Sequence, residues 1–495
     1  MRPPSNELAR SWWRTAALGG AALSVGCCVA LARNLPAAAA IVAGSVLYVV
    51  LAYVSIRRPL VFVTIFLLVL ELLPPFFFSA FGEAPVYLST ILIPIGLAIL
   101  ILRFPEFSTR LDPVAKGLML FVAALGISLP FAAWLSSPEV TLASLLRWLL
   151  LGQACLIYLL IRHGSSARES SLERWLFTLL LVGAVISATY GVFDFVWPIP
   201  LPHPAADQFI WLRGAVLRRA QGVFYESSNF GNFCGFFLAA ASAAYLSREG
   251  RVIVIPRPIL LLTIAVLSLA VLVAFSRSTW ASVLTTLGVF VAISGQVNRR
   301  RAAVFLLALA SPILILWIYS PELWDYLVSA RVAYLAQILA DPNLASSGRY
   351  ATWQRILAIL QDQPQYLLFG VGYKTLPYTR LFHDSLITDN GYLSLLLETG
   401  IVGLGSFLIF SVSVLKTFLE IARKGAGSLS FMAAFLFAFW CGECVQLLAV
   451  DALTYWRNIV LFTALMALTI NQAERQGVVF RQDPTTALPR QSGER

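Results

Sequence analysis

The sequence predicts an all-α, polytopic membrane protein, and three observations carry that prediction. The chain of 495 residues is 59% hydrophobic and only 12% charged, with a mean hydropathy of +0.79. A soluble domain carries roughly a quarter charged residues. The apolar excess comes in blocks of about 18–25 residues, the length a helix needs to cross a ~30 Å hydrocarbon core. Aromatic residues make up 13% of the chain, and many Trp and Tyr stand at block ends, where the membrane interface favours them.

In chain order about 14 spans fit this pattern. They lie near residues 15–32, 35–56, 59–81, 86–102, 114–135, 140–161, 175–197, 222–246, 258–275, 279–295, 303–320, 391–415, 429–450 and 456–471. Arg2, Arg10 and Arg14 precede the first block in the manner of a signal peptide. A second block follows at once, so an uncleaved first helix is expected. The chain then divides into a cytoplasmic N-terminus (1–14), eleven spans (15–320), an external loop (321–390), three spans (391–471) and a polar tail (472–495). The tail composition predicts disorder. The block at 391–415 begins early, as a short helix leading into a crossing would. No internal repeat of the kind that marks inverted-repeat transporters is visible.

Orientation follows from the cations. With the N-terminus inside, the cytoplasmic segments collect Arg57 and Arg58, Arg162 and Arg168, Arg248 and Arg251, the run Arg299–Arg301, Arg423 and Lys424, and the tail arginines. The net charge of +11 is therefore mostly the positive-inside bias and not a nucleic-acid surface. Both termini are expected in the cytoplasm. All six cysteines (Cys27, Cys28, Cys155, Cys234, Cys441 and Cys444) fall inside apolar blocks, where "CGEC" at 441–444 reads as packing and not as a metal or redox motif.

Two external loops remain, near 198–221 and 321–390. Seventy structureless residues would be unusual, and the second loop carries two amphipathic patterns. The first runs through Leu323, Tyr326, Leu327, Leu335, Ile338 and Leu339; the second through Tyr350, Trp353, Ile356, Leu357 and Leu360. Spacings of three and four predict helices on the membrane surface or over a cavity, with Ser346 or Ser347 as cap of the second. "FGVGY" at 369–373 reads as a glycine turn.

Arginines on the outer side run against the charge bias, so each needs a reason. Arg218 and Arg219 precede the eighth span, Arg277 stands at the junction of the ninth and tenth, and Arg349 opens the second loop helix. Arg147 lies inside the sixth span, where an uncompensated charge costs several kcal/mol. Salt bridges or snorkelling account for such residues in many membrane proteins. The alternative is an anionic ligand at the membrane surface, because guanidinium is planar, permanently charged and bidentate towards phosphate. Ser278 would set free N–H groups of a helix start at the same depth. Glu71, Asp194, Glu226, Glu398 and Glu443 are the carboxylates within spans and are expected to neutralise and orient these arginines. Asp389 and Asn390, in front of the twelfth span, are good helix caps, and Gly400 and Gly403 suit close helix packing. His383 is a loop histidine or a base. No DxD or ExD occurs in an external loop, no Walker A loop or GxSxG is present, and no His/Cys cluster has zinc spacing. No metal or other cofactor is expected.

Four stretches together carry a resemblance: "RRAQGVFYESSNFGNF" (218–233), "FSRSTW" (275–280), "SGRYATWQRILAIL" (347–360) leading to "LFGVGY" (368–373), and "DNGYLSLLLETGIVG" (389–403). In this order, and with the long external loop between them, they resemble the O-antigen ligase and O-antigen polymerase superfamily over roughly residues 140–470. That resemblance implies metal-independent glycosyl transfer on the periplasmic face of the bacterial inner membrane. It implies a donor glycan on undecaprenyl pyrophosphate and a glycan or lipid-linked acceptor, with membrane lipids and a polysaccharide flippase or chain-length regulator as further partners. By position, Arg219 and Arg277 look like the arginines that hold the pyrophosphate, with Arg218, Arg349 and Arg147 beside them. The ligase pattern is similar to His-[Asn/Ser/Gln]-x9-Gly-x-x-[Gly/Thr/Tyr]. Asn390, Gly400 and Gly403 fit it, but Asp389 stands where the histidine base is expected. Asp389 or His383 is then the base, with Asn390, Glu226, Glu398, Gly400 and Gly403 in support. The substitution favours a polymerase of O-antigen or exopolysaccharide over a ligase that joins glycan to lipid A-core. A flippase or transporter of lipid-linked sugars is the reading from another class.

Overall fold

A computed structural model describes residues 35–77, 85–103, 111–164, 170–197, 208–212, 215–224, 226–247, 255–294, 348–379 and 386–479, with positions 301, 304, 314, 318 and 343. The predicted spans at 15–32 and 303–320, the first amphipathic pattern of the long loop and the tail lie largely or wholly outside these residues, and so does His383.

The described helices are α1 (Leu35–Arg57), α2 (Pro59–Leu72), α3 (Leu88–Arg103), α4 (Pro113–Ile127), α5 (Leu129–Leu135), α6 (Pro138–Gly164), α7 (Ser170–Val196), α8 (Ser227–Leu246), α9 (Arg257–Val273) and α10 (Arg277–Ser294). After the long gap come α11 (Arg349–Asp362), α12 (Tyr366–Phe369), α13 (Gly391–Lys424), α14 (Gly427–Gln446) and α15 (Trp456–Arg475), with a 3-10 turn at Ala452–Thr454. Two short antiparallel ribbons accompany them: β1 (Phe76–Phe77) with β2 (Pro85–Val86), and β3 (Phe209–Leu212) with β4 (Ala215–Arg218). The second ribbon, ahead of α8, has no counterpart in the all-helical prediction.

Five described helices are long and apolar enough to cross a membrane: Pro113–Leu135 (α4 with α5), Pro138–His163, Trp175–Val196, Gly391–Lys424 and Gly427–Gln446. Further apolar helices are shorter, among them Pro59–Leu72, Leu88–Arg103 and Arg257–Val273. With these helices the chain is a multi-pass membrane protein. The count differs from the sequence prediction partly for a physical reason. α15 carries Arg457, Asn458 and Asn471, and α8 carries Asn229 and Asn232, yet both helices are buried around nearly their whole circumference. A helix surrounded by other helices needs no lipid-facing surface.

The core is aromatic where α8, α14 and α15 meet. Phe236 lies 4.6 Å from both Phe439 and Phe462, measured between ring centroids, and Phe439 lies 4.5 Å from Phe462. A polar seam runs beside it: Asn232 donates to Glu443 Oε1 (2.7 Å) and Gln446 Oε1 (3.0 Å), and Asn458 donates to Asn232 Oδ1 (2.6 Å). At the far end of α15, Arg162 joins Asp112 (2.8 Å) and Glu474 (2.6 Å), while Tyr158 donates to Asp112 at 2.8 Å. Asp112 also caps α4 through the Ala115 N–H. This knot fixes α4, α6 and α15 at one end, and the candidate site occupies the other.

Candidate active site

The site begins with a break in α13. Gly400 adopts φ 67°, ψ −168° in the middle of the helix, a conformation essentially restricted to glycine. The break frees the carbonyls of Leu397 and Glu398, which accept the N–H groups of Val371 (3.1 Å) and Gly372 (2.9 Å). The "FGVGY" turn therefore docks backbone to backbone against the broken helix. A Cβ on Gly400 would stand 2.1 Å from the Leu368 carbonyl oxygen, and one on Gly370 2.2 Å from the Glu398 carbonyl carbon. Gly403 lies under the Thr399 side chain. The expectation that Gly400 and Gly403 pack two helices is thus replaced by a local role: they shape the break and let the loop approach. The early start predicted for the 391–415 span is the short N-terminal half of α13.

The docked turn is strapped to the bundle. Ser128 Oγ accepts the Tyr373 N–H (3.1 Å), Trp456 Nε1 donates to the Tyr373 hydroxyl (3.3 Å), and Arg147 Nη1 donates to the Lys374 carbonyl (3.0 Å). Burial pushes the Tyr373 phenol up to about 12. The Arg147 guanidinium also lies over the Tyr378 ring at 5.0 Å. Lys374, itself buried, joins Asp451 by a short salt bridge and stands 3.6 Å from Glu398. Burial works against its charge, but Asp451 and Glu398 outweigh that and hold the ammonium well above the usual lysine range. Three distant pieces of chain therefore meet through one cation: the turn, the broken helix and the α14–α15 connection.

The segment before α13 is placed by the end of α14, whose last carbonyls lack helical partners. Leu447 O accepts the Gly391 N–H (2.8 Å), Leu448 O accepts from Asn390 (3.1 Å), and Ala449 O accepts from Arg349 Nη1 (2.8 Å). Asn390 is the N-cap of α13, accepting the N–H groups of Tyr392 (3.1 Å) and Leu393 (3.0 Å). Asp389 is released from capping. It sits at φ 44°, and its Oδ2 accepts from Arg349 Nε at 3.0 Å, with both side chains about one third exposed (38% and 31%). Trp353 of α11 donates to the Thr388 carbonyl (2.9 Å). Ile356 and Leu360 join Val371, Leu376, Leu386 and Leu397 in a small second core. The amphipathic pattern at 350–360 is thus a helix, capped by Gly348 at φ 84°.

Against the turn at 374–378 and the segment 386–389 lies a cavity of about 280 Å³, lined among others by Arg147, Glu226, Lys374, Asp389, Glu398 and Asp451. Aromatic walls come from Tyr87, Tyr378, Tyr455 and Trp456. Arg219 is not itself a lining residue but reaches Ser228, two positions beyond the lining residue Glu226. Its Nε donates to the Ala274 carbonyl (3.0 Å) and its Nη2 to Ser228 Oγ (3.1 Å), and it forms no ion pair among the described residues. Burial lowers its pKa and the nearby Arg349 charge adds to that, while Tyr455 and Glu226 act the other way. Arg218 is turned elsewhere, onto Asp194 at 3.1 Å. Arg277 is exposed at the start of α10, three residues beyond the Ala274 carbonyl that Arg219 holds, and is not among the cavity-lining residues.

Lys374, Asp451, Tyr455 and Trp456 were not among the residues expected from sequence. Lys374 follows directly on "FGVGY", and Asp451 is a lone carboxylate in the connection between α14 and α15; those were the available signals. Replacing Lys374 by methionine leaves Asp451 and Glu398 facing each other without a cation. A loss of about 3–5 kcal/mol is expected for one partner removed from a buried pair. Thermal unfolding in detergent checks this, and an unchanged midpoint would remove Lys374 from the framework of the site.

No curated protein matched this chain. Residues 262–408 match the family model described as O-antigen ligase, Wzy_C. The matched stretch holds Arg277, Arg349, Lys374, Asp389, Glu398 and the Gly400 break; Arg147, Arg219, Glu226 and Asp451 are contributed from outside it. By that match, residues 262–408 are similar to the O-antigen ligase family.

Proposed function

We propose that this protein is a metal-independent membrane glycosyltransferase that moves a glycan from undecaprenyl pyrophosphate to a sugar hydroxyl on the periplasmic face of the inner membrane. The observation that carries the reading is a cavity rich in carboxylates and aromatic rings with two sequence-distant arginines at its edge: Arg349, joined to the lining residue Asp389 at 3.0 Å, and Arg219, joined to Ser228 in the first turn of α8 next to the lining residue Glu226. Two such guanidinium groups, one without an ion pair among the described residues, favour a ligand with at least two negative charges, as pyrophosphate has. They stabilise charge on the departing pyrophosphate, the task a metal ion performs elsewhere. The cavity offers hydroxyl-binding carboxylates and ring faces, which suit a sugar.

Polymerization of repeat units is the reading we favour, because Asp389 stands where the ligase pattern has histidine. Ligation to lipid A-core is the second reading, favoured by the description of the matched family as the ligase. Deleting the gene and separating the cell's glycans by electrophoresis distinguishes them. Glycan of one repeat unit on the acceptor is expected for a polymerase. Long glycan that never reaches lipid A-core identifies a ligase, and an unchanged pattern overturns both.

A further inference from the structure

Four carboxylates line the cavity, and three of them are engaged. Asp389 accepts from Arg349 Nε at 3.0 Å. Asp451 is paired with Lys374, and Glu398 lies 3.6 Å from the same ammonium and is 2% exposed. Glu226 differs. It lines the same cavity, and among the described residues its carboxylate accepts no hydrogen bond and meets no cation in an ion pair. It occupies the N-cap position of α8, yet its side chain does not cap the helix. Ser, Thr, Asp or Asn would serve that position better. Capping therefore gives no reason for a carboxylate here, and Arg219 and Lys374 act on it through space and not through a hydrogen bond.

Its placement is nevertheless fixed. The Ser227 N–H donates to Gln208 Oε1 (3.0 Å), the Gln208 N–H to Gln221 Oε1 (3.2 Å), and the Ala220 N–H to the Val273 carbonyl (3.0 Å). Arg219 reaches the same first turn of α8 through Ser228. The charged and titratable groups that act on Glu226 are Arg219, Lys374, Asp389, Asp451, Tyr87 and Tyr455. An unpaired carboxylate next to an anion-binding arginine weakens anion binding. Its presence makes chemical sense if it acts on the other reactant.

We propose that Glu226 is the general base of the transfer and that Asp389 is a positioning residue holding Arg349. This rests on the reading of the site as a glycosyltransferase. The acceptor O–H bond breaks and its proton passes to the Glu226 carboxylate. The acceptor oxygen forms the new bond to the anomeric carbon as the bond from that carbon to the pyrophosphate oxygen breaks. That electron pair leaves on undecaprenyl pyrophosphate, where Arg219 and Arg349 meet the charge. The proton on Glu226 then returns to solvent through the cavity, which restores the base. An uncommitted carboxylate can accept the proton without first giving up an arginine, as Asp389 would have to.

The test uses the full-length protein in detergent. The donor is the lipid-linked glycan that accumulates in cells deleted for the gene, and undecaprenyl pyrophosphate serves as the binding probe. Glu226→Gln should lower kcat about 10²–10⁴-fold, the usual contribution of a general base. Affinity for undecaprenyl pyrophosphate should stay the same or rise, and the fall in rate on the acid side of the pH profile should disappear. Asp389→Asn should instead weaken undecaprenyl pyrophosphate binding and keep the acid limb. A Glu226→Gln variant that transfers at half the normal rate or more, or keeps the acid limb, overturns the assignment. If that variant fails to bind the probe, Glu226→Asp decides: recovery of binding and of measurable transfer supports the base, and recovery of binding alone overturns it. Arg219→Ala separates the two levels. Normal probe binding by that variant sinks the glycosyltransferase reading itself, whereas weakened binding together with an active Glu226→Gln sinks only the base.

Discussion

Arg219→Ala is expected to lower transfer about 10²–10³-fold, the range seen when one preorganised donor to a developing negative charge is removed. Binding of undecaprenyl pyrophosphate should weaken in parallel, because the charge is felt in the bound donor as well as in the transition state. The guanidinium is held by two neutral acceptors, the Ala274 carbonyl and Ser228 Oγ. Its removal therefore leaves no buried carboxylate exposed, and the fold should survive. Lysine should not substitute well: it restores one charge but cannot hold both acceptors and still present a planar edge to phosphate. Arg218 is the natural control, one position away. Its guanidinium is spent on the Asp194 carboxylate at 3.1 Å and on that residue's carbonyl. Arg218→Ala should therefore lower thermal stability and leave the affinity for undecaprenyl pyrophosphate in the folded protein close to normal. Equal loss of affinity in the two variants would mean that general positive charge, and not the placement of Arg219, draws the donor.

The difference between these adjacent arginines shows where sequence reading stops. Apolar block length is a property of composition, so the membrane class and the helices at 138–164 and 427–446 could be read directly. The helix at 349–362 was equally legible, since Trp353, Ile356 and Leu360 repeat at helical spacing and all turn towards the small second core or the segment above it. α8 and α15 could be placed as blocks, but not as the centre of the bundle. Burial by neighbouring helices and burial by lipid leave similar apolar patterns. The arginines on the side expected to be external were visible because they oppose the charge bias, but nothing in "RRAQG" says which one faces Asp194. That choice depends on how the chain leaves β4, whose last residue is Arg218. Lys374 and Asp451 were hidden for a related reason. Each is an ordinary charged residue in its own segment, and only the break at Gly400 brings the turn, the helix and the α14–α15 connection together.

Gly400→Ala is expected to cost about 4 kcal/mol or more, and to remove activity in what remains folded. Two effects combine. The φ 67°, ψ −168° backbone is open to glycine alone and costs roughly 1–3 kcal/mol for another residue. The new methyl group would also stand 2.1 Å from the Leu368 carbonyl oxygen and 2.5 Å from the Phe369 nitrogen. Both are backbone atoms, so no rotamer change relieves the contact. If the turn withdraws, the Val371 and Gly372 N–H groups lose the Leu397 and Glu398 carbonyls, at about 1 kcal/mol for each bond. Lys374 then moves away from Glu398, and the floor of the cavity opens. If instead the helix closes, Glu398 is carried round the helix axis and away from the ammonium. Either adjustment disrupts the site, which is why stability and transfer should fall together. Gly405, one turn further along the same helix, has open space around the position of a Cβ. Gly405→Ala should be neutral or stabilising by up to ~1 kcal/mol, the ordinary gain from alanine in a helix. Thermal unfolding of the two variants in the same detergent, followed by transfer assays on the folded fraction, measures the contrast. A Gly400→Ala protein that melts and transfers like Gly405→Ala would show that the break in α13 is not required to build the site.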